Sequence, residues 1–339
     1  METSRSTLEL MRRAYALGQR VWPGYDSPFS RHDFTRPQLF ACLAVREALR
    51  LSYRKAEAFL NDVPDWLAAI GLGRAPDHNT LWRALGALLK KRRIDRALDL
   101  MAGEGAAALA ADLSAKPLTI DSTCYEPRHR SRHYDRACRK MDLKPGHKYT
   151  KKPGKYGPAV NASRSRKLRR MPKLALAVAA ASHRILAAKA SAGNGSDAPD
   201  FDPLLYQSWR RAKVKTAVAD AGYDSEGNHL IARLDMNVRS VIPAKIGRPS
   251  TTAPAGRYRR LMKQRFARKA DKRVYGQRSQ SETVNSMMKR NLGEYLRSIL
   301  TRRRKQEMLL KSVVHNLMLG PRPKPVSYTH LTLPTNREV

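Results

Sequence analysis

Tyr275, Arg278, Glu282 and Lys289 stand with two, three and six residues between them. At 3.6 residues per turn, Arg278 and Glu282 differ by about 40° and Glu282 and Lys289 by about 20°, so the last three share one helix face. Tyr275 falls at the helix entry, beside Gly276. A carboxylate flanked by Arg and Lys can hold a cation while its neighbours hold the phosphates around it. The plain alternative is a solvated Arg–Glu pair one turn apart, worth a few tenths of a kcal/mol. Two further carboxylates decide between them. Asp121 closes the apolar run Pro117-Leu118-Thr119-Ile120, and Asp220 follows the run Lys215 to Ala219. A lone Asp at a strand end is ordinarily a turn or cap residue. Two such strands side by side, with a helix laid across their edge, would instead gather three carboxylates. Like charges held together need a cation, and all-oxygen donors suit Mg²⁺ or Mn²⁺. Two such ions about 4 Å apart activate an attacking oxygen and stabilise a leaving oxygen in phosphodiester chemistry. Asp224, four residues after Asp220, is a rival for the second position and otherwise caps the following turn or helix.

The elements that must position these residues are readable from periodicity. The first 115 or so residues look helical, with Leu39, Cys42, Leu43, Val45, Ala48 and Leu49 recurring at three- and four-residue intervals. Asp77-His78-Asn79-Thr80 offers N-caps for a helix over Leu81 to Lys91, and a further Ala/Leu-rich helix covers Ile94 to Ala111. Short helices and tight turns are compatible with a helix-turn-helix entering at Thr80, or with an ordinary helical bundle. Strands are expected at Pro117–Asp121, Lys173–Ala180, Arg184–Ala190, Lys215–Ala219 and Val238–Ile242. Helices are expected at Pro203–Arg211, Asn228–Leu234, Gln277–Arg290 and Arg304–Met318. The interval from Asp220 to Glu282 is 62 residues, which leaves room for a strand, a basic loop and little else.

Charge narrows the partner. Across 339 residues there are 66 Lys+Arg and 29 Asp+Glu, a formal net charge of +37, and 42% hydrophobic residues supply a packed core. Three runs, Arg128–Arg170, Lys245–Arg273 and Lys289–Lys305, hold 30 of the 37 net charges. One such run is usually a solvated face; three separated by neutral stretches favour a surface that tracks phosphates. Aromatics at 7% fit base stacking poorly, so duplex backbone contact is the better reading. The longest clean apolar run, Leu174 to Ala181, is too short to span a membrane, and Met1 to Arg13 lacks a signal-peptide core. Three cysteines argue against a disulfide framework and suit a reducing compartment. Cys124, His129, His133 and Cys138 invite a zinc reading, but no Cys-x-x-Cys knuckle is present and the stretch is rich in arginine, which favours a basic DNA-contacting loop. Gly193-Asn194-Gly195-Ser196 reads as a flexible turn. Val326 to Val339 has no helical period, and Ser327 to Asn336 resembles translated sequencing-adapter sequence.

With these motifs in order, the chain resembles a DDE-type bacterial insertion-sequence transposase with an RNase H-like catalytic core. The family's Tyr-(2)-Arg-(3)-Glu-(6)-Lys signature matches Tyr275, Arg278, Glu282 and Lys289. Its two aspartate blocks match Leu118-Thr119-Ile120-Asp121-Ser122-Thr123 and Ala219-Asp220-Ala221-Gly222-Tyr223-Asp224-Ser225. Arg128 to Tyr134 is similar to a stretch after the first aspartate in one branch, Pro76 to Arg83 to the helical N-terminal region, and His315-Asn316-Leu317 to the final helix. The resemblance covers roughly residues 36 to 320. It implies an α/β fold, an RNase H-like mixed sheet flanked by helices and preceded by an all-helical N-terminal region. The implied division is a DNA-binding region at 1–115, a catalytic domain at 116–320 and a Pro-rich end with a tail at 321–339. Asp121, Asp220 and Glu282 would be the catalytic residues and the ligands of two Mg²⁺ (or Mn²⁺) ions. Tyr275, Arg278 and Lys289 would contact or position DNA, with Arg128, Arg130, Arg132, Arg169 and Arg170 of the first basic run. The implied reaction cuts element ends and joins their 3′-OH to target DNA, in a homodimer on double-stranded DNA in the bacterial cytoplasm at the nucleoid. A nuclease of the same core that does not join strands, and an inactive transposase-derived DNA-binding protein, are the alternatives.

Overall fold

A computed structural model describes residues 6–25, 27, 29, 31–128, 171–193, 195–244 and 254–319. Seven helices come first: α1 Thr7–Val21, α2 Arg36–Ala48, α3 Tyr53–Asp62, α4 Pro64–Ala68, α5 His78–Leu88, α6 Lys91–Gly103 and α7 Ala106–Ala115. Ser6, Thr35, Ser52 and Asp77 cap α1, α2, α3 and α5 with side-chain oxygens, each satisfying an amide of the first turn. The helix expected over Ile94 to Ala111 is two, because the chain turns at Glu104 and Gly105. On α5, Leu81, Ala84, Leu85 and Leu88 are buried, while Trp82 and Arg83 are exposed.

The strands follow: β1 Leu118–Cys124, β2 Glu126–Pro127, β3 Lys173–Ala179 and β4 Ile185–Ser191. After them come α8 Ala198–Arg211, β5 Thr216–Ala219, α9 Glu226–Leu230 and β6 Arg239–Val241. The remainder is α10 Arg257–Ala267, α11 Lys272–Gly276, α12 Ser279–Leu292, β7 Tyr295–Leu296 and α13 Thr301–Met318. The main sheet has the order β4-β3-β1-β5-β6. β1, β3 and β4 pair antiparallel, and β1, β5 and β6 parallel. This is the RNase H-like mixed sheet. β2 and β7 form a separate two-stranded parallel pair.

All of β3 is buried, and its alternation sorts residues by size. Leu174, Leu176 and Val178 join the core that holds the N-terminal helices, α12 and α13. Ala175, Ala177 and Ala179 face the second core, where Phe201, Leu204 and Leu205 of α8 pack closely. Proline placement also departs from expectation. α8 begins five residues before Pro203 and carries that proline inside it. The carbonyl of Pro199, which Pro203 cannot serve for lack of an amide, accepts from Lys189 Nζ at 3.4 Å.

Within the basic stretch expected as a loop, the described residues from 254 are largely helical. Glu226 Oε1 and Oε2 accept from the amides of Tyr258 and Arg259 at 3.0 Å and so cap α10. Gly256, at φ +95°, lies where a side chain would run into Glu226. Asp224 holds Arg259 at 2.7 Å, and buried Asp271 joins Arg265 at 2.6 Å and also pairs with Arg239. Three acids distant from the run in sequence or masked by its charge thus fold it.

Candidate active site

Asp121 and Asp220 emerge next to each other. β1 and β5 pair in parallel from Leu118↔Ala217 to Ile120↔Ala219, and the aspartates are the next residue on each chain. Asp121 does not end its strand, as expected, because β1 continues to Cys124 against β3; it stands where β5 stops. Asp220 leaves β5 and caps a 3₁₀ turn at Ala221–Tyr223, its Oδ1 accepting from the Gly222 amide at 2.7 Å. Glu282 lies in the first turn of α12, which packs on β1. It is half exposed and pairs with Arg278 at 2.6 Å.

Burial pushes the Asp121 carboxyl up to about 6, and the negative charges of Asp220 and Glu282 add to that while Arg278 opposes it. The three carboxylates therefore share one electrostatic neighbourhood. They do not converge to contact, however. Among the described residues, the one group of three donors within 4.8 Å of one another is Glu57, Asp77 and His78 at the start of α5. There Glu57 accepts from both the amide and the ring of His78, at 3.1 and 2.7 Å, which secures the helix entry.

The rest of the signature surrounds this edge. Tyr275 sits in α11, half-buried, with its ring edge-on to Phe266 at 5.0 Å. Burial raises its hydroxyl pKa against the opposing pull of Arg278. Arg278 is the residue before α12, already in helical conformation, so it reaches Glu282 across one turn. Lys289 lies two turns further on, about 10 Å along the axis from Glu282, with its ammonium 5.7 Å from the Tyr125 ring. A cavity of about 700 Å³ opens there, lined by Lys289 and Arg290 together with Arg50, Arg128 and Arg297. Arg297 is neutralised by Glu47 and Glu307, whereas no ion pair between Arg50, Arg128, Lys289 or Arg290 and a carboxylate occurs among the described residues. Arg130, Arg132, Arg169 and Arg170 lie outside the described residues, as do His129, His133 and Cys138 of the zinc reading and the tail from 320.

Several site neighbours escape a reading by spacing. Asp197, just before α8, accepts from Ser122 Oγ and from the buried ammonium of Lys173, both at 2.9 Å. Asp197 and Asp220 flank Gly222 so closely that a Cβ there would meet Asp220 Oδ1 at 2.9 Å and Asp197 Oδ2 at 3.0 Å. Asn285, one turn after Glu282, donates to Asp121 Oδ2 at 3.1 Å. Its helical spacing from Glu282 was the available signal. Asp224, the rival second ligand, is fully buried and bound to Arg259.

The sequence matches the family model described as "Transposase DDE domain" over residues 118–317. The chain belongs to the DDE transposase family. The matched span of this transposase opens at the first residue of β1 and closes in α13, so it encloses Asp121, Asp220 and Glu282. No curated protein and no solved structure matches the transposase. None of its helices, among the described residues, is long and apolar enough to cross a membrane.

Proposed function

We propose that the transposase cuts the ends of its element and joins the freed 3′-OH to target DNA, using divalent cations held by Asp121, Asp220 and Glu282. The observation that carries this reading is the adjacency of Asp121 and Asp220 on parallel neighbours, with Glu282 delivered by the helix packed on β1. The donor set fits Mg²⁺ or Mn²⁺, because every candidate ligand is a hard carboxylate oxygen. When bound, such ions activate the attacking oxygen and stabilise the leaving one. The chain's own residues supply the rest. Arg278 occupies Glu282 and acts on Asp121, so it serves as the counter-cation of the acidic edge and passes to phosphate when the carboxylates take metal. Tyr275 and Lys289 orient the strand on either side of Glu282 along the helix axis. The cavity beyond Lys289, and the exposed cations Arg257, Arg260, Lys263, Arg268 and Lys269 of the second basic run, continue the path for duplex backbone.

In this reading residues 1–115 bind DNA and residues 116–320 carry the chemistry. Two element ends require two active sites, which makes a homodimer on double-stranded DNA the working form. Its substrate is chromosomal DNA, so it acts at the bacterial nucleoid.

Replacing Asp121, Asp220 or Glu282 by Ala should lower cleavage of an end-bearing duplex by at least about 10³-fold while leaving end binding within about threefold, by analogy with the loss of single charge-stabilising groups elsewhere. Full cleavage by Asp121→Ala would overturn the assignment. Offering pre-cut ends and target DNA then separates joining from cutting, because a nuclease would leave those ends unjoined.

A further inference from the structure

The side chain of Asn285 has one satisfied end and one unsatisfied end. It is 8% exposed, and its Nδ2 donates to Asp121 Oδ2 at 3.1 Å. Its Oδ1 is buried and has no hydrogen-bond partner. A buried amide carbonyl left unpaired destabilises the fold, and an apolar side chain of similar shape would avoid that cost. Nothing in the packing demands an amide: its helix neighbours Val284, Met288 and Leu292 join the large apolar core. Rotating the amide by half a turn does not help, because it would set an oxygen against the Asp121 carboxylate, a clash of acceptors.

The Asn285 carbonyl is thus open to a donor from outside the chain. Mg²⁺ keeps several of its waters when protein carboxylates bind it, and those waters are strong donors. Asn285 lies one helical turn from Glu282 and in contact with Asp121, so an ion held by those two carboxylates would bring its waters into the neighbourhood of the amide.

We propose that Asn285 is a positioning residue of the metal site: its Nδ2 fixes the Asp121 carboxylate, and its Oδ1 accepts a hydrogen bond from a water bound to the divalent ion. This rests on the assignment of Asp121 and Glu282 as metal ligands. Outer partners of this kind commonly alter metal affinity by about 10- to 100-fold.

The test uses the full chain, with Mn²⁺ as the probe, titrated by paramagnetic resonance in the presence and absence of uncleavable end DNA. Melting temperature is read in parallel without metal. Asn285→Leu should bind Mn²⁺ at least about tenfold more weakly, with the melting temperature little changed, because it removes a buried unpaired carbonyl together with the bond to Asp121. Asn285→Gln, which keeps both the donor and the acceptor end of the amide on a longer arm, should recover part of the affinity. A purely structural role would reverse the first pattern, with lowered melting and unchanged Mn²⁺ affinity, and would overturn the proposal. If Asn285→Leu fails to fold, Asn285→Ser, which removes the amide carbonyl with less change in bulk, carries the same comparison, and unchanged affinity in it overturns the proposal equally. Wild-type protein that binds no Mn²⁺ would instead defeat the underlying ligand assignment, and Asp121→Ala distinguishes that case by its own titration.

Discussion

Gly222 owes its place to two carboxylates rather than to backbone freedom. A methyl group there would sit 2.9 Å from Asp220 Oδ1 and 3.0 Å from Asp197 Oδ2, closer than carbon and oxygen tolerate. Gly222→Ala should therefore displace Asp220, whose Oδ1 is fixed by the Gly222 amide. Misplacement of a reacting group by about 1 Å can cost about 100-fold in rate. We expect Gly222→Ala to lower cleavage at least about tenfold with a much smaller change in melting temperature; equal activity would show that Asp220 can move freely. The sequence displays the Asp-Ala-Gly-Tyr run but not the reason for its glycine. Asp197 is 25 residues back along the chain from Gly222, and it reaches the site only because Lys173 and Ser122 hold it there.

At the scale of elements, the His-Asn pair near the end of α13 acts as a clamp. Asn316 Oδ1 accepts from the amide of Ile185 at 2.9 Å while its Nδ2 donates to the carbonyl of the same residue at 2.8 Å, continuing the β4 edge as a strand would. His315 Nε2 donates to the carbonyl of His183 at 3.1 Å, in the hairpin turn, where His183 has φ 59°. The His183 ring in turn meets Gln280 of α12 at 2.8 Å, two residues before Glu282. Asn316→Ala should cost about 1–3 kcal/mol for each buried group it strands, read by denaturant unfolding. Protonation gives an independent check. Burial lowers His315 from 6.5 to about 4, and burial with the nearby Arg233 does the same to His229. The unfolded chain then binds protons that the folded chain refuses. Stability from these groups is whole above about pH 6.5 and falls as pH drops toward 4. Unfolding midpoints should decline over that window, and less steeply in His315→Gln. A flat profile would contradict the buried neutral state.

Across the whole molecule, the N-terminal helices are bolted to the matched DDE domain by charge as well as by apolar contact. Fully buried Glu47 of α2 meets Lys311 of α13 at 2.7 Å and Arg297 after β7 at 2.5 Å, with Arg46 at 3.4 Å. Burial alone would raise the Glu47 carboxyl, but Lys311, Arg297 and Arg46 outweigh it and hold it at about 2. Its contribution is present above 4.5 and is lost only as pH falls toward 2, so it does not account for the histidine window. Lys311→Met should leave buried Glu47 with only Arg297 and Arg46 to balance it and cost less than the roughly 3–5 kcal/mol of a fully stranded buried charge, measured by equilibrium unfolding. Glu47→Gln combined with Lys311→Met should recover much of that loss. The surface charge makes a separate prediction. Arg50→Gln with Arg290→Gln should leave the fold intact and reduce the salt slope of DNA binding by about 2.

The sequence by itself determined the order along the chain of the five strands of the main sheet, the three carboxylates in line and the net charge of +37, because periodicity, residue type and spacing are local properties. It also pointed to β1 and β5 as neighbours, since Asp121 and Asp220 each follow a short apolar run. It placed Asp121 at a strand end and the second basic run in a loop, and both were decided otherwise by partners far along the chain. β3 extends β1 past Asp121, while Glu226, Asp224 and Asp271 neutralise and cap the basic helices. Tertiary structure alone set Asp197 beside Gly222, gave Asn285 its unpaired oxygen and buried Glu47 among three cations. Each of those depends on burial and on distances through space, and neither is written in the spacing of residues along a chain.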